Sequence, residues 1–218
     1  MIFEHTQAGF SHRAIPLSLL LILLSGPLLA KPPKIRSLLP LAAAPGQTTE
    51  VVITGENLET VTGLWTTFES KTSIVAGEKR NGKELRIRIE VPKETPIGIG
   101  AIRATGPGGL SNPRLFAIDD LATRPAGTEN TSAASALALE PPCAIDSQTK
   151  TGQVHYYSFK ARAGQGLSFE VMSQRIGSNL DPVLRILDSS QKELAFSNDS
   201  IGADSRISWR AEKGGAYL

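Results

Sequence analysis

Between Glu84 and Val91 the chain reads Glu-Leu-Arg-Ile-Arg-Ile-Glu-Val, with Leu85, Ile87, Ile89 and Val91 at every second position and a charged residue between each pair. Successive side chains of a strand point to opposite faces, so this stretch buries one face and wets the other only as β-structure. Wound as a helix it would scatter the same apolar residues around the axis. Pro92, which cannot donate to a ladder, ends it. Shorter apolar runs flank it: Lys34 to Leu39 before Pro40, Glu50 to Thr54 after the turn Ala44-Pro45-Gly46-Gln47, Ile97 to Ala104, and Leu115 to Ile118 beyond the turn Gly106-Pro107-Gly108-Gly109. Twenty Gly and fourteen Pro with only 6% aromatic residues suit many strands and turns rather than helices. Strands at this spacing predict an immunoglobulin-like sandwich over residues 31–121.

A second run of strands is expected over residues 128–218, after a linker at 122–127 of small and polar residues that bury little surface. Val154, Tyr156 and Ser158 alternate with His155, Tyr157 and Phe159. Past the turn Ala163-Gly164-Gln165-Gly166, Leu167, Phe169 and Val171 alternate with Ser168, Glu170 and Met172, which predicts a hairpin. Val183 to Leu187, Glu193 to Phe196, and the stretch carrying Ile207 and Trp209 are further strands, and Ala216-Tyr217-Leu218 opens another. The predicted fold is therefore all-β, two consecutive β-sandwiches behind an amino-terminal segment at 1–30.

Two resemblances attach to these residues. Ser37-Leu38-Leu39-Pro40, Pro45-Gly46, Ile53-Thr54-Gly55-Glu56-Asn57-Leu58 and Ser111-Asn112-Pro113-x-x-Phe116 resemble the IPT/TIG family of immunoglobulin-like domains. Tyr157-x-Phe159-x-Ala161, Ala163-Gly164-Gln165, Leu180-Asp181-Pro182-Val183-Leu184, Leu187-Asp188, Glu193-Leu194-Ala195, Asn198-Asp199, Asp204-Ser205 and Gly215-Ala216-Tyr217 resemble the bacterial pre-peptidase C-terminal (PPC) domain. The first resemblance implies a spacer or adhesion role. The second implies a jelly-roll-like, non-catalytic module of a secreted protein, one whose last strand continues past Leu218.

Residues 1–30 have the layout of an export signal: His12-Arg13, an apolar run from Ile15 to Leu24, the break Ser25-Gly26-Pro27, and small Ala30 before the expected cut. The apolar run is well short of the roughly 20 residues that a spanning helix needs, so no stable membrane insertion is expected after cleavage. Lys31 rather than Cys follows, which disfavours a lipid anchor. The expected location is secreted, periplasmic or cell-surface, in a bacterium. Lys plus Arg number 23 and Asp plus Glu 21, interspersed along the chain, so the clustered basic face of a nucleic-acid binder is missing. The expected partners are an extracellular protein, a polysaccharide surface, or further domains of the same protein.

Catalytic chemistry finds little to work with. His5 and His12 fall in the export segment, leaving His155 alone and without a Gly-x-Ser-x-Gly partner motif. Cys143 is the only cysteine, so no internal disulfide is possible and no zinc ligand set exists. No catalytic residue and no cofactor is expected, and any catalytic domain would lie outside this chain. Calcium is the one metal that the residue types suit, since hard cations take several oxygens. Asn198, Asp199 and Asp204, with Asp181 nearby in sequence, supply one group of oxygens. Some PPC relatives bind calcium through an acidic leading segment, and here that segment keeps Glu129 and Asn130 while Gln153 and His155 stand where the resemblance implies aspartates. Asn198, Asp199 and Asp204 equally suit turn capping. Trp65 and Trp209 are candidate ligand-binding platforms, because a flat exposed ring stacks on a sugar; a buried ring in a sandwich core is the alternative for each.

Overall fold

The computed structural model describes residues 30–76, 81–121 and 123–218. The expected export signal, with His5, His12 and Arg13, lies outside them but for Ala30. Within the described residues the protein is all-β.

The first sandwich is built from β1 (Lys34–Leu39), β2 (Ala42–Ala43), β3 (Thr48–Glu56), β4 (Gly63–Thr66), β5 (Lys71–Ile74), β6 (Glu84–Glu90), β7 (Gly98–Gly106), β8 (Gly109–Leu110) and β9 (Arg114–Ile118). One sheet has the order β1-β3-β6-β5; the other runs β2-β9-β7-β4, with β8 folded back on β7. The alternation in β6 does what its spacing predicts: Leu85, Ile87 and Ile89 are buried, and Val91 follows them into the core. Val51 and Ile53 from β3, Ile35 and Leu38 from β1, and Ile102, Ala104 and Phe116 from the facing sheet complete that core. Phe68 stacks on Phe116 at 5.9 Å between centroids. β4 and β5 are absent from the sequence reading, because Gly63-Leu64-Trp65-Thr66 and Lys71-Thr72-Ser73-Ile74 carry too few apolar residues to show a period.

Gly55 explains the most distinctive local motif of this half. A Cβ there would meet the Lys34 carbonyl oxygen at 1.9 Å, so only glycine permits the approach of β1 to β3 at the bulge between Ile35 and Ser37. Two residues on, Asn57 takes a left-handed conformation (φ 56) and turns the chain so that Leu58 drops into the core.

The second half comprises β10 (Thr123–Pro125), β11 (Leu137–Ala138), β12 (Ala144–Asp146), β13 (Tyr157–Ala161), β14 (Gly166–Glu170), β15 (Val183–Leu187), β16 (Glu193–Asn198), β17 (Arg206–Arg210) and β18 (Gly215–Tyr217). Its pairings are β11-β13-β18, β14-β17 and β15-β16, while β10 runs parallel to β12. Strand structure thus enters the stretch expected to be a linker. Phe159, Ala161, Ile186, Ile207, Ala211 and Tyr217 form the buried cluster.

The hairpin expected between 154–159 and 167–172 does not form. β13 begins only at Tyr157 and pairs with β11 and β18, whereas β14 pairs with β17. The turn residues between them are held from outside: the Gly164 N–H donates to the Ala211 carbonyl (2.7 Å) and the Ala211 N–H to the Gln165 carbonyl (2.9 Å). The turn therefore carries the chain from one sheet to the other. Period two places side chains on faces but does not choose the partner strand. At the last described residues, Leu218 and Leu187 exchange both backbone hydrogen bonds (2.8 and 3.0 Å), linking β18 to the end of β15.

Candidate functional site

Of the oxygens weighed for calcium, those of Asp204 are committed to the protein, whereas Asn130 Oδ1 is buried without a hydrogen-bond partner. Asp204 is fully buried, and its carboxylate accepts the Ser173 N–H (3.1 Å), the Gln174 N–H (2.8 Å), the Arg175 N–H (3.3 Å) and Arg175 Nε (2.8 Å). Burial alone would raise its pKa, but the guanidinium and the backbone donors outweigh it and hold the carboxyl below its ordinary value. Asp204 thus fixes the short 3-10 turn Gln174–Ile176. Asp199 sits in a left-handed conformation and accepts from Asn198 Nδ2 at 2.9 Å. Glu129 accepts from the Thr128 hydroxyl (3.0 Å), and buried Asn130 grips Tyr156, giving Nδ2 to its carbonyl (3.1 Å) and taking its N–H on the backbone oxygen (2.7 Å). Among the described residues, no three His, Cys, Asp or Glu side chains come together as a metal group.

The two tryptophans, alike in sequence, part company in space. Trp209 packs edge-on to Tyr217 (4.7 Å) and Phe159 (6.1 Å), and Phe169 closes on Phe159 at 4.7 Å, so Trp209 belongs to the aromatic centre of the second half. Trp65 lies on β4 opposite Arg103 of β7 and is 52% exposed. Its ring offers a free face of the kind that stacks on a flat ligand.

His155 has a hydroxyl partner: Ser147 Oγ lies 2.8 Å from Nδ1. In an acyl-transfer triad the serine faces one ring nitrogen and a carboxylate orients the other. Here Nε2 is buried without a hydrogen-bond partner, so no carboxylate sets the tautomer or stabilises an imidazolium. The pair lacks the group that makes such a serine nucleophilic.

Sequence reasoning missed Asp146. This residue ends β12, is 8% exposed, and accepts the Leu41 N–H at 2.6 Å, 105 positions back in the chain. Burial pushes its carboxyl up, against the opposing pull of the Leu41 and Ser147 N–H groups. The turn Gln174–Ile176 held by Asp204 also approaches β9, and a Cβ added at Gly177 would meet Leu115 at 3.8 Å. The Asp146 hydrogen bond and this approach both link residues of the first and second sandwiches. Neither residue has a local signature, because each partner is far away in sequence.

No protein-family model matches the chain. Over 70 residues, 32% of the chain, it is 35% identical to a probable subtilase-type serine protease of Deinococcus radiodurans, and it spans only 10% of that relative's length. Among solved structures it is similar to SGBP-B of the Bacteroides ovatus mixed-linkage glucan utilization locus, determined with a mixed-linkage heptasaccharide. There the identity is 14% and the TM-score 0.32, over 87% of this chain and 38% of the other. Among the described residues no helix is long and apolar enough to cross a membrane.

Proposed function

We propose that the chain is a non-catalytic arm of a larger exported protein, an immunoglobulin-like sandwich and a jelly-roll-like PPC sandwich that together hold the rest of that protein against an extracellular surface. The domain limits are those of the sequence reading, 31–121 and 128–218. The observation that supports this reading is the buried Asp146 side chain accepting the Leu41 N–H, a hydrogen bond between residues of the two sandwiches. The pair Ser147 and His155, in which His155 Nε2 has no hydrogen-bond partner to orient it, supports the non-catalytic part. Trp65 is the exposed ring available for polymer contact, while Trp209 serves the core.

The partial identity to a subtilase-type protease favours a second, narrower reading, in which the arm serves a secreted hydrolase. Both are tested on the natural protein recovered from the culture medium, by its intact mass and by its hydrolytic activity before and after Ser147→Ala. The expected result is a mass well above that of the present chain, with any peptidase activity unchanged by the substitution. An activity abolished by Ser147→Ala would overturn the non-catalytic reading.

A further inference from the structure

β16 is built inside out. Its small residues, Ala195 and Ser197, turn towards the core, while Leu194 (42% exposed) and Phe196 (51% exposed) face solvent. A strand normally spends its largest apolar side chains on burial, and this one does not.

Phe196 is also held in place. Its cross-strand neighbour Arg185 lays its guanidinium over the ring at 5.1 Å, and Arg185 is itself tied to Glu193 at 2.6 Å. Beside the ring, between β16 and β17, runs a shallow cleft of about 470 Å³ that Phe196 lines and Arg185 does not. Three polar groups on its walls have capacity to spare. Arg206 spends only Nε, on Ser168 Oγ (3.3 Å) and more distantly on Glu170 (3.8 Å), which Arg175 holds more tightly at 2.6 Å; the terminal amino groups of Arg206 donate to nothing among the described residues. Asn198 uses its Nδ2 on Asp199, leaving the amide oxygen, and the hydroxyl of Ser208, which also lines the cleft, has no partner among the described residues.

From this cleft we infer a binding site for a uronic acid residue of an acidic polysaccharide. The apolar face of a pyranose stacks on Phe196, its carboxylate takes the free amino groups of Arg206, and its hydroxyls meet the Asn198 amide oxygen and Ser208. The Arg206 guanidinium, with Glu170 3.8 Å from its Nε and its terminal amino groups free among the described residues, favours a singly charged sugar over a neutral one. The assignment rests on the reading of the chain as a binding arm, and it is separable from that reading by experiment.

The test is affinity electrophoresis of the exported protein through gels containing polygalacturonate or, as the neutral control, amylose. Retardation is expected in polygalacturonate only, weakening as salt rises. Phe196→Ala and Arg206→Gln should each weaken it at least tenfold with an unchanged melting temperature, since both side chains stand on the surface. No retardation in polygalacturonate, or equal retardation in amylose, would overturn the uronate site. Retardation lost with Trp65→Ala but kept with Phe196→Ala would also overturn it, while leaving the binding arm standing on the first sandwich.

Discussion

Asp204 draws four donors of the second sandwich onto one buried side chain. One carboxylate satisfies three backbone donors and a guanidinium, which is why it tolerates complete burial. Asp204→Asn replaces a charge with an amide whose NH₂ would face donors, and should cost roughly 3 kcal/mol at neutral pH, the range for breaking a buried ion pair. Because the folded carboxyl titrates below its unfolded value, its stabilisation is present above that unfolded value and is lost as pH falls through the folded one. Asp146 runs the other way: its pKa is raised, so its contribution is present below the unfolded value and lost as pH rises through the folded one. Urea melts from pH 7 down to pH 3 should show the difference between wild type and Asp204→Asn shrinking on acidification; a constant difference would contradict the role given to the carboxylate. At this scale the sequence shows residue types and little else. Trp65 and Trp209 stand in similar strand contexts, and only the rings of Phe159 and Tyr217, supplied from elsewhere in the chain, make one a core residue.

Elements whose faces differ strongly are legible, and those without contrast are not. β6 and β15 match their sequence boundaries closely because charge and apolarity alternate in the one, while Pro182 and the Asp188 turn bracket the other. β4 and β5 lack that contrast, and β16 reverses it, so its outward Leu194 and Phe196 mislead any argument from periodicity alone. Pairing is a separate matter from strand existence: β13 and β14 are correctly strand-like yet join different sheets. Gly55 is the element-scale exception, a sequence motif whose cause is a close backbone approach. Gly55→Ala must push β1 away from β3, and overpacking of this kind costs about 1–3 kcal/mol. Thermal unfolding of the variant should show the loss; an unchanged midpoint would mean that the bulge relaxes freely.

At the scale of the molecule, two hydrophobic centres are linked by the Asp146 hydrogen bond to Leu41 and by the approach of the turn Gln174–Ile176 to β9. The two-sandwich layout is readable from strand spacing, but the joint is not, since it depends on a side chain reaching a backbone N–H 105 residues away. A stiff joint is what an arm requires, because a flexible one would not carry the position of one end to the other. Residual dipolar couplings of backbone amides in the protein test this most directly. A single alignment tensor should fit residues 34–118 and 157–217 together, and Asp146→Ala, which leaves the Leu41 N–H unpaired, should split the fit into two. Two independent tensors in the wild-type protein would contradict the account.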